Sequence, residues 1–281
     1  MSAYAHHHPH HHGHQGTGAS ASSHNHEYFN KLAAEYDERH GKTLDRLIEE
    51  IRARLDFIGV AWVYDNDDDD DDNGDGSAVD DATTRARKSE GTPEKTVRLL
   101  DYACGTGVVC IQALAPYTTQ CVGIDLSENM VAAYNTRAEN QGLTPSEMHA
   151  YQGNLCVPED PNPPAFASPE FTNFDVAAVG LGFHHFDDPV LAARRLAERL
   201  KTGGVLMILD FLPHEKLDAS HPATQTITHH GFTEEHIRRI YEEAGVGKDF
   251  ALQEVAAVFH FSKENGEEMK RKIFIARGTK A

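Results

Sequence analysis

Long apolar runs, paired cysteines and an excess of positive charge are all missing from this 281-residue sequence. No stretch approaches the roughly 20 apolar residues that cross a bilayer, and the N-terminus lacks the apolar core of a secretory signal. Membrane insertion and secretion are therefore not expected. Cys104, Cys110, Cys121 and Cys156 form no C-x-x-C pair and lie in apolar or glycine-rich sequence, the setting of reduced core residues rather than bridges or metal ligands. Lysine and arginine number 26 against 44 acids, a formal charge of -18. Ten aspartates between Asp65 and Asp81 supply more than half of it, and the remainder is ordinary for a soluble enzyme. With no basic stripe, RNA and DNA are poor candidates as partners. A soluble, cytoplasmic protein is the expectation, with no metal centre.

Two segments have little to bury. Residues 1–26 are rich in His, Gly and Ser and hold nine of the nineteen histidines, so a disordered tail is expected, with no spacing that fixes a metal geometry. Residues 65–94 carry the aspartate run, whose like charges resist collapse, and an acidic insertion is expected there. It lacks the ordered spacing, central glycine and closing Glu of a calcium loop. Between them, residues 27–64 form the lid helices: "EYFNKLAAEYDERH" is amphipathic, and Leu44, Leu47, Ile48, Ile51 and Leu55 recur at helical spacing.

Residues 95–281 read as one domain in which strands and helices alternate. "TVRLLDY", "QCVGID", "EMHAYQGN", "FDVAAVGLG" and "VLMILDF" are strand-like, and helices such as "SENMVAAYNTRAENQG" and "DPVLAARRLAERLKTGG" follow them. Ser127 and Thr233 are available as N-caps. Near-continuous apolar strands in this alternation imply a parallel sheet covered on both faces, and the last two strands look like a closing hairpin.

In such a sheet ligands bind beyond the carboxyl ends of the strands. Gly105 and Gly107 in "LLDYACGTGVVC" stand where the first strand hands over to its helix, and Asp125 ends the second strand, eighteen residues after Gly107. A carboxylate there can accept two hydrogen bonds from a ribose diol. A dinucleotide site would prefer a third glycine where Cys110 stands, and Asp101 would repel a pyrophosphate. A phosphate-free cofactor carrying an ammonium and a sulfonium, S-adenosylmethionine, suits the charges better.

"LLDYACGTG", "VGIDLSENMV", "YQGNL", "FDVAAVGLGFHHFDDP" and "LKTGGVLMILDF", in this order, resemble the successive motifs of the class I S-adenosylmethionine-dependent methyltransferases, and among these the small-molecule branch of ubiquinone and menaquinone C-methyltransferases. The resemblance covers about residues 27–278. It implies a Rossmann-like doubly wound α/β fold, with a seven-stranded sheet, mostly parallel, closed by an antiparallel C-terminal hairpin strand. By the same resemblance Asp101, Ala103, Cys104, Gly105 and Gly107 would hold the methionine end and Asp125 the ribose. Leu126 and Met130 would flank the adenine, Asn154 and Leu155 would meet its edge, Gly180 and Leu181 would line the far side, and Tyr36 would close over the cofactor. Ala103 departs from the family's usual glycine, and Asn154 from its frequent Asp.

Methyl transfer is an in-line displacement that needs alignment, and a base only where the acceptor arrives protonated. His184 and His185, just beyond the fourth strand, are the candidate catalytic residues, either as base or as packing and backbone hydrogen-bonding groups. His229 and His230 form a second pair before a late helix, and Phe183, Phe186, Phe211 and Phe232 could wall an apolar acceptor pocket. A small-molecule methyl acceptor is the expected partner. The competing readings are a nicotinamide-dependent oxidoreductase and a non-catalytic protein that keeps the fold.

Overall fold

The structure, a computed structural model, describes residues 21–63, 95–217, 220–262 and 268–281. The first 20 residues of the His-rich tail and the acidic segment at 65–94 lie outside the described residues. Seven strands form one sheet in the order β3-β2-β1-β4-β5-β7-β6. They are β1 (Arg98–Tyr102), β2 (Gln120–Asp125), β3 (Met148–Gln152), β4 (Phe174–Gly180), β5 (Leu200–Phe211), β6 (Lys248–Ser262) and β7 (Glu268–Thr279). Strands β1 to β5 are parallel, and β7 runs antiparallel between β5 and β6.

Alternating residues of the central strands divide the core in two, as a period of two requires. Leu99, Val176, Ala178 and Met207 pack against α2 (Tyr36–Arg52), α3 (Leu55–Ile58), α4 (Cys110–Leu114) and α5 (Glu128–Asn140). Leu100, Ala177, Val179 and Ile208 face α6 (Pro189–Arg199) and α7 (Glu234–Glu243). The amphipathic reading of Leu44, Leu47, Ile48 and Ile51 corresponds to the buried face of α2. Caps lie where hydroxyls were available: Ser127 Oγ accepts from Met130 N at 3.1 Å, and Thr233 Oγ1 from His236 N at 3.2 Å. Among the described residues no helix is long and apolar enough to cross a membrane.

Two boundaries differ from the sequence expectation. The helix expected over "DPVLAARRLAERLKTGG" ends at Arg199, and Leu200 already pairs with Phe174 in an irregular opening of β5. There a Cβ on Gly204 would lie 2.9 Å from the carbonyl oxygens of Lys201 and Phe174, so the glycine permits close strand approach rather than a helix stop. The lid divides at residues 33–35, and its first helix, α1 (Ala21–Leu32), begins inside the segment expected to be disordered. Tertiary contacts override composition here: Ser127 Oγ and Asn129 N both donate to Asn30 Oδ1, at 2.5 and 3.1 Å, tying α1 to the start of α5.

Strand order reverses at β1, whose neighbours are β2 and β4. The connections leaving β1 and β4 therefore diverge to opposite faces and open a crevice at their carboxyl ends.

Candidate active site

The turn after β1 is built from left-handed backbone: Ala103, Gly105 and Gly107 have φ of +54, +52 and +78°. For Ala103 that conformation costs on the order of 1 kcal/mol, which accounts for the family's glycine there. The two glycines differ in role. A Cβ on Gly105 would meet nothing within 4 Å, so its backbone faces open space, whereas one on Gly107 would come within 2.9 Å of the Tyr134 ring. Gly107 lets α5 pack close; Gly105 lets something else approach.

Two carboxylates meet at this turn. Asp125 accepts from Gly105 N at 2.8 Å through Oδ2 and from Ser127 N at 2.9 Å through Oδ1. Ser127, not Asp125, caps α5, and each Asp125 oxygen keeps acceptor capacity. Burial raises its pKa against the pull of these backbone bonds. Asp101 is 2% exposed, and among the described residues no Lys, Arg or His pairs with it. Burial pushes its pKa up to about 8, although a hydrogen bond with Cys110 works the other way.

Around the turn lies a cleft of about 430 Å³. Tyr36, Asp101, Ala103, Cys104, Gly105, Asp125, Leu126, Met130, Asn154, Gly180 and Leu181 all line it, bringing most of the expected set to one place. Gly107 does not, because it faces Tyr134. Leu155 does not either: it is 1% exposed and packed in the core, its N–H held by Tyr102 Oη at 3.1 Å. A Cβ on Gly180 would fall 2.8 Å from Cys110 Sγ, so only glycine lets the end of β4 come this near the turn.

The two candidate histidines separate. His185 lines the cleft, and its Nδ1–H donates to the Thr226 carbonyl at 2.6 Å, which leaves Nε2 as the acceptor. Burial, with His184 beside it, pushes its pKa down to about 3. The ring is neutral at physiological pH but weakly basic, contrary to the expectation of a base near neutrality. His184 does not line the cleft: it is 4% exposed and its Nδ1–H donates to Asp210 Oδ1 at 2.8 Å. Burial opposes ionisation of Asp210, yet His184 and backbone donors hold its carboxyl below the ordinary value. Of the four phenylalanines only Phe186 reaches the cleft; Phe183, Phe211 and Phe232 are core residues. His229 packs instead, with Nε2–H donating to the Phe186 carbonyl at 3.1 Å, and neither it nor His230 lines the cleft.

Two groups of residues escaped the sequence reading. Ser22, Asn25 and Phe29, spaced three and four apart on one face of α1, roof the cleft. Asn25 Nδ2 donates to the His185 carbonyl at 3.1 Å, and the Phe29 and His185 rings meet edge to face at 5.1 Å. Behind the glycine turn, Thr106 Oγ1 donates to Asp37 Oδ1 at 2.6 Å, Arg137 Nε donates to the Thr106 carbonyl at 2.9 Å, and Arg137 pairs with Asp37. This clamp joins α2, the turn and α5, elements about 30 to 100 positions apart in the chain.

A methyltransferase domain model matches residues 67–247, more than half of the chain. The chain belongs to the methyltransferase domain family. Its cofactor is S-adenosylmethionine. An uncharacterised methyltransferase of Schizosaccharomyces pombe is 30% identical over 154 residues, 53% of this chain and 52% of that protein. The demethylmenaquinone methyltransferase of Staphylococcus carnosus is 27% identical over 121 residues, 42% of this chain and 44% of that protein. The chain thus spans about half the length of the curated relatives it matches. The fold is shared with a Haloferax volcanii protein solved in complex with the Trm112 methyltransferase activator, at a TM-score of 0.55 and 14% identity, covering 89% of this chain and 96% of that one.

Proposed function

We propose that this methyltransferase domain transfers the methyl group of S-adenosylmethionine to a small-molecule acceptor held under α1. The observation that carries the reading is Asp101, a buried carboxylate without a cationic partner among the described residues, next to backbone that opens into the cleft at Gly105. A cationic ligand favours the ionised carboxylate that burial alone disfavours, and a diphosphate disfavours it further. That weighs against a nicotinamide dinucleotide.

When bound, the donor supplies an activated methyl group on a sulfonium. Asp101 and the turn from Ala103 to Gly105 would hold its amino-acid end, and Asp125 its ribose. Asp125 is pre-organised for this by Gly105 N and Ser127 N, which fix the carboxylate before any ligand arrives. Leu126 and Met130 would flank the base. Asn154 accepts from Cys156 N at 2.8 Å through Oδ1, which leaves its amide N–H groups to meet the base edge. Tyr36 would cover the donor from α2, and Gly180 and Leu181 would line its far side. Catalysis then rests on alignment and exclusion of water by α1, since the ring of His185 fixes a partner by accepting a hydrogen bond rather than by removing a proton. The enclosed volume and the absence of a basic stripe support a small molecule over a macromolecule.

The test is methyl transfer from isotopically labelled donor to a library of small acceptors, comparing the wild type with Asp125→Asn. The substitution keeps one acceptor oxygen for the backbone and removes the charge. Label incorporation that falls at least tenfold at sub-saturating donor and recovers at saturating donor supports the reading. Undiminished transfer at low donor contradicts the ribose role.

A further inference from the structure

Resting on that reading of the cleft, the hydrogen bonds behind Asn154 decide how the base of the cofactor is read. Asp101 and Tyr102 close β1 and, as neighbours on a strand, point to opposite faces of the sheet. Asp101 turns to the start of α4 and the glycine turn. Tyr102 turns the other way: its ring lies 5.5 Å from that of Phe186, and its hydroxyl reaches the loop after β3. It lines the cleft while only 5% exposed.

That hydroxyl has one proton, shared between Asn154 Oδ1 at 3.2 Å and Cys156 Sγ at 3.3 Å, and it accepts in turn from Leu155 N at 3.1 Å. Burial raises the phenol well above its ordinary pKa, so the proton stays in place at physiological pH. Asn154 Oδ1 also accepts from Cys156 N at 2.8 Å, which uses both lone pairs of that oxygen. A backbone N–H can only donate, so the amide cannot turn over without setting two donors against each other. Asn154 Nδ2 has no partner among the described residues and is not one of the buried unpaired atoms, so it opens to the cleft. Leu155, expected to meet the base edge, gives its N–H to Tyr102 instead.

We infer that Tyr102 is a positioning residue for base recognition: by occupying Asn154 Oδ1 and Leu155 N–H it leaves one donor, Asn154 Nδ2–H, to face the base, which answers with a ring nitrogen. The amino group of adenine is itself a donor and finds no acceptor at Asn154. An Asp at this position would present an oxygen where Asn presents N–H, so the departure from the family's frequent Asp reverses the polarity of the contact. Glu159, Asp187 and Asp188 also line the cleft. Any of them that meets the amino group meets it equally in ligands that differ only at a ring nitrogen.

Calorimetry on the full chain with S-adenosylhomocysteine and its 1-deaza, 3-deaza and 7-deaza analogues, each with one ring nitrogen replaced by CH, tests the inference. At least one analogue should bind the wild type about tenfold more weakly than the parent, the worth of one hydrogen bond. Asn154→Ala should bind the parent and that analogue alike. Asn154→Asp, which keeps the oxygen that serves Cys156 and Tyr102, should bind the parent more weakly than Asn154→Ala does, because a carboxylate oxygen then opposes the lone pair of the ring. Tyr102→Phe should narrow the ratio of parent to analogue to about threefold, whereas a merely structural loss weakens both ligands and leaves the ratio intact. Equal binding of all three analogues by the wild type, a gap that persists in Asn154→Ala, Asn154→Asp that binds as tightly as the wild type, or an unchanged ratio in Tyr102→Phe each overturns the inference. A wild type that binds neither S-adenosylhomocysteine nor any analogue is a separate failure, that of the proposed function itself.

Discussion

Asp101→Asn tests the charge argument most sharply, because it predicts that a single substitution strengthens the fold while weakening the ligand. The amide matches the carboxyl in shape, so packing at a position 2% exposed is retained. In the unfolded chain the carboxyl ionises near its ordinary 3.8, whereas in the folded protein burial holds it to about 8. Between those values the folded state carries a proton that the unfolded state has released, so Asp101 erodes stability as pH rises from 3.8 towards 8 and by a constant amount above it. At about 1.36 kcal/mol per pH unit the cost at neutrality is on the order of 4 kcal/mol. Urea unfolding of Asp101→Asn should therefore give a higher midpoint than the wild type at pH 7 and above, and the two curves should converge towards pH 4. Calorimetry of S-adenosylhomocysteine should show the opposite trend, about tenfold to a hundredfold weaker binding, the worth of one charge-assisted hydrogen bond. A variant that is less stable at pH 7 yet binds as well as the wild type would refute the reasoning.

The same carboxyl predicts a linked proton: at pH 7 cofactor binding should release about one proton, read from the dependence of calorimetric heat on buffer ionisation enthalpy, and none in Asp101→Asn. Asp37→Ala removes the clamp on Thr106 and Arg137. Because the Arg137–Asp37 pair is partly solvent-exposed, stability should fall by only about 1 kcal/mol while S-adenosylhomocysteine affinity falls further, as denaturation and calorimetry together will show. Asp210 has its pKa held down, so its contribution is present above pH 3.8 and is lost as pH falls through the lowered value. Asp210→Asn should cost about 3 kcal/mol at neutral pH and flatten the loss of thermal stability on the acid side.

The alternation of strands and helices was legible because β1, β2, β4 and most of β5 are buried on both faces, so their apolar runs stand out between amphipathic helices. Asp101, Gly105 and Asp125 were legible for a related reason: they occupy strand ends and a turn, where few residue types serve. What was not legible depends on contacts distant in the chain. Asn25 sits in low-complexity sequence, and its helix is ordered by Ser127 and Asn129, about 100 positions away. The Asp37–Thr106–Arg137 clamp unites three ordinary surface-type residues whose spacing carries no signal. His184 and His185 are adjacent in sequence and opposite in placement. One turns to Asp210 in the core and the other to the cleft, a division set by the short 3-10 turn over Phe183–His185.

The central claim is that the crevice at the ends of β1 and β4 takes a phosphate-free, cationic cofactor whose ribose is held by Asp125. Isothermal titration of the purified chain with S-adenosylhomocysteine and, separately, with NAD⁺ and NADH tests it directly. The account predicts saturable one-to-one binding of S-adenosylhomocysteine and no heat from either dinucleotide. Binding of a dinucleotide without binding of S-adenosylhomocysteine would contradict it.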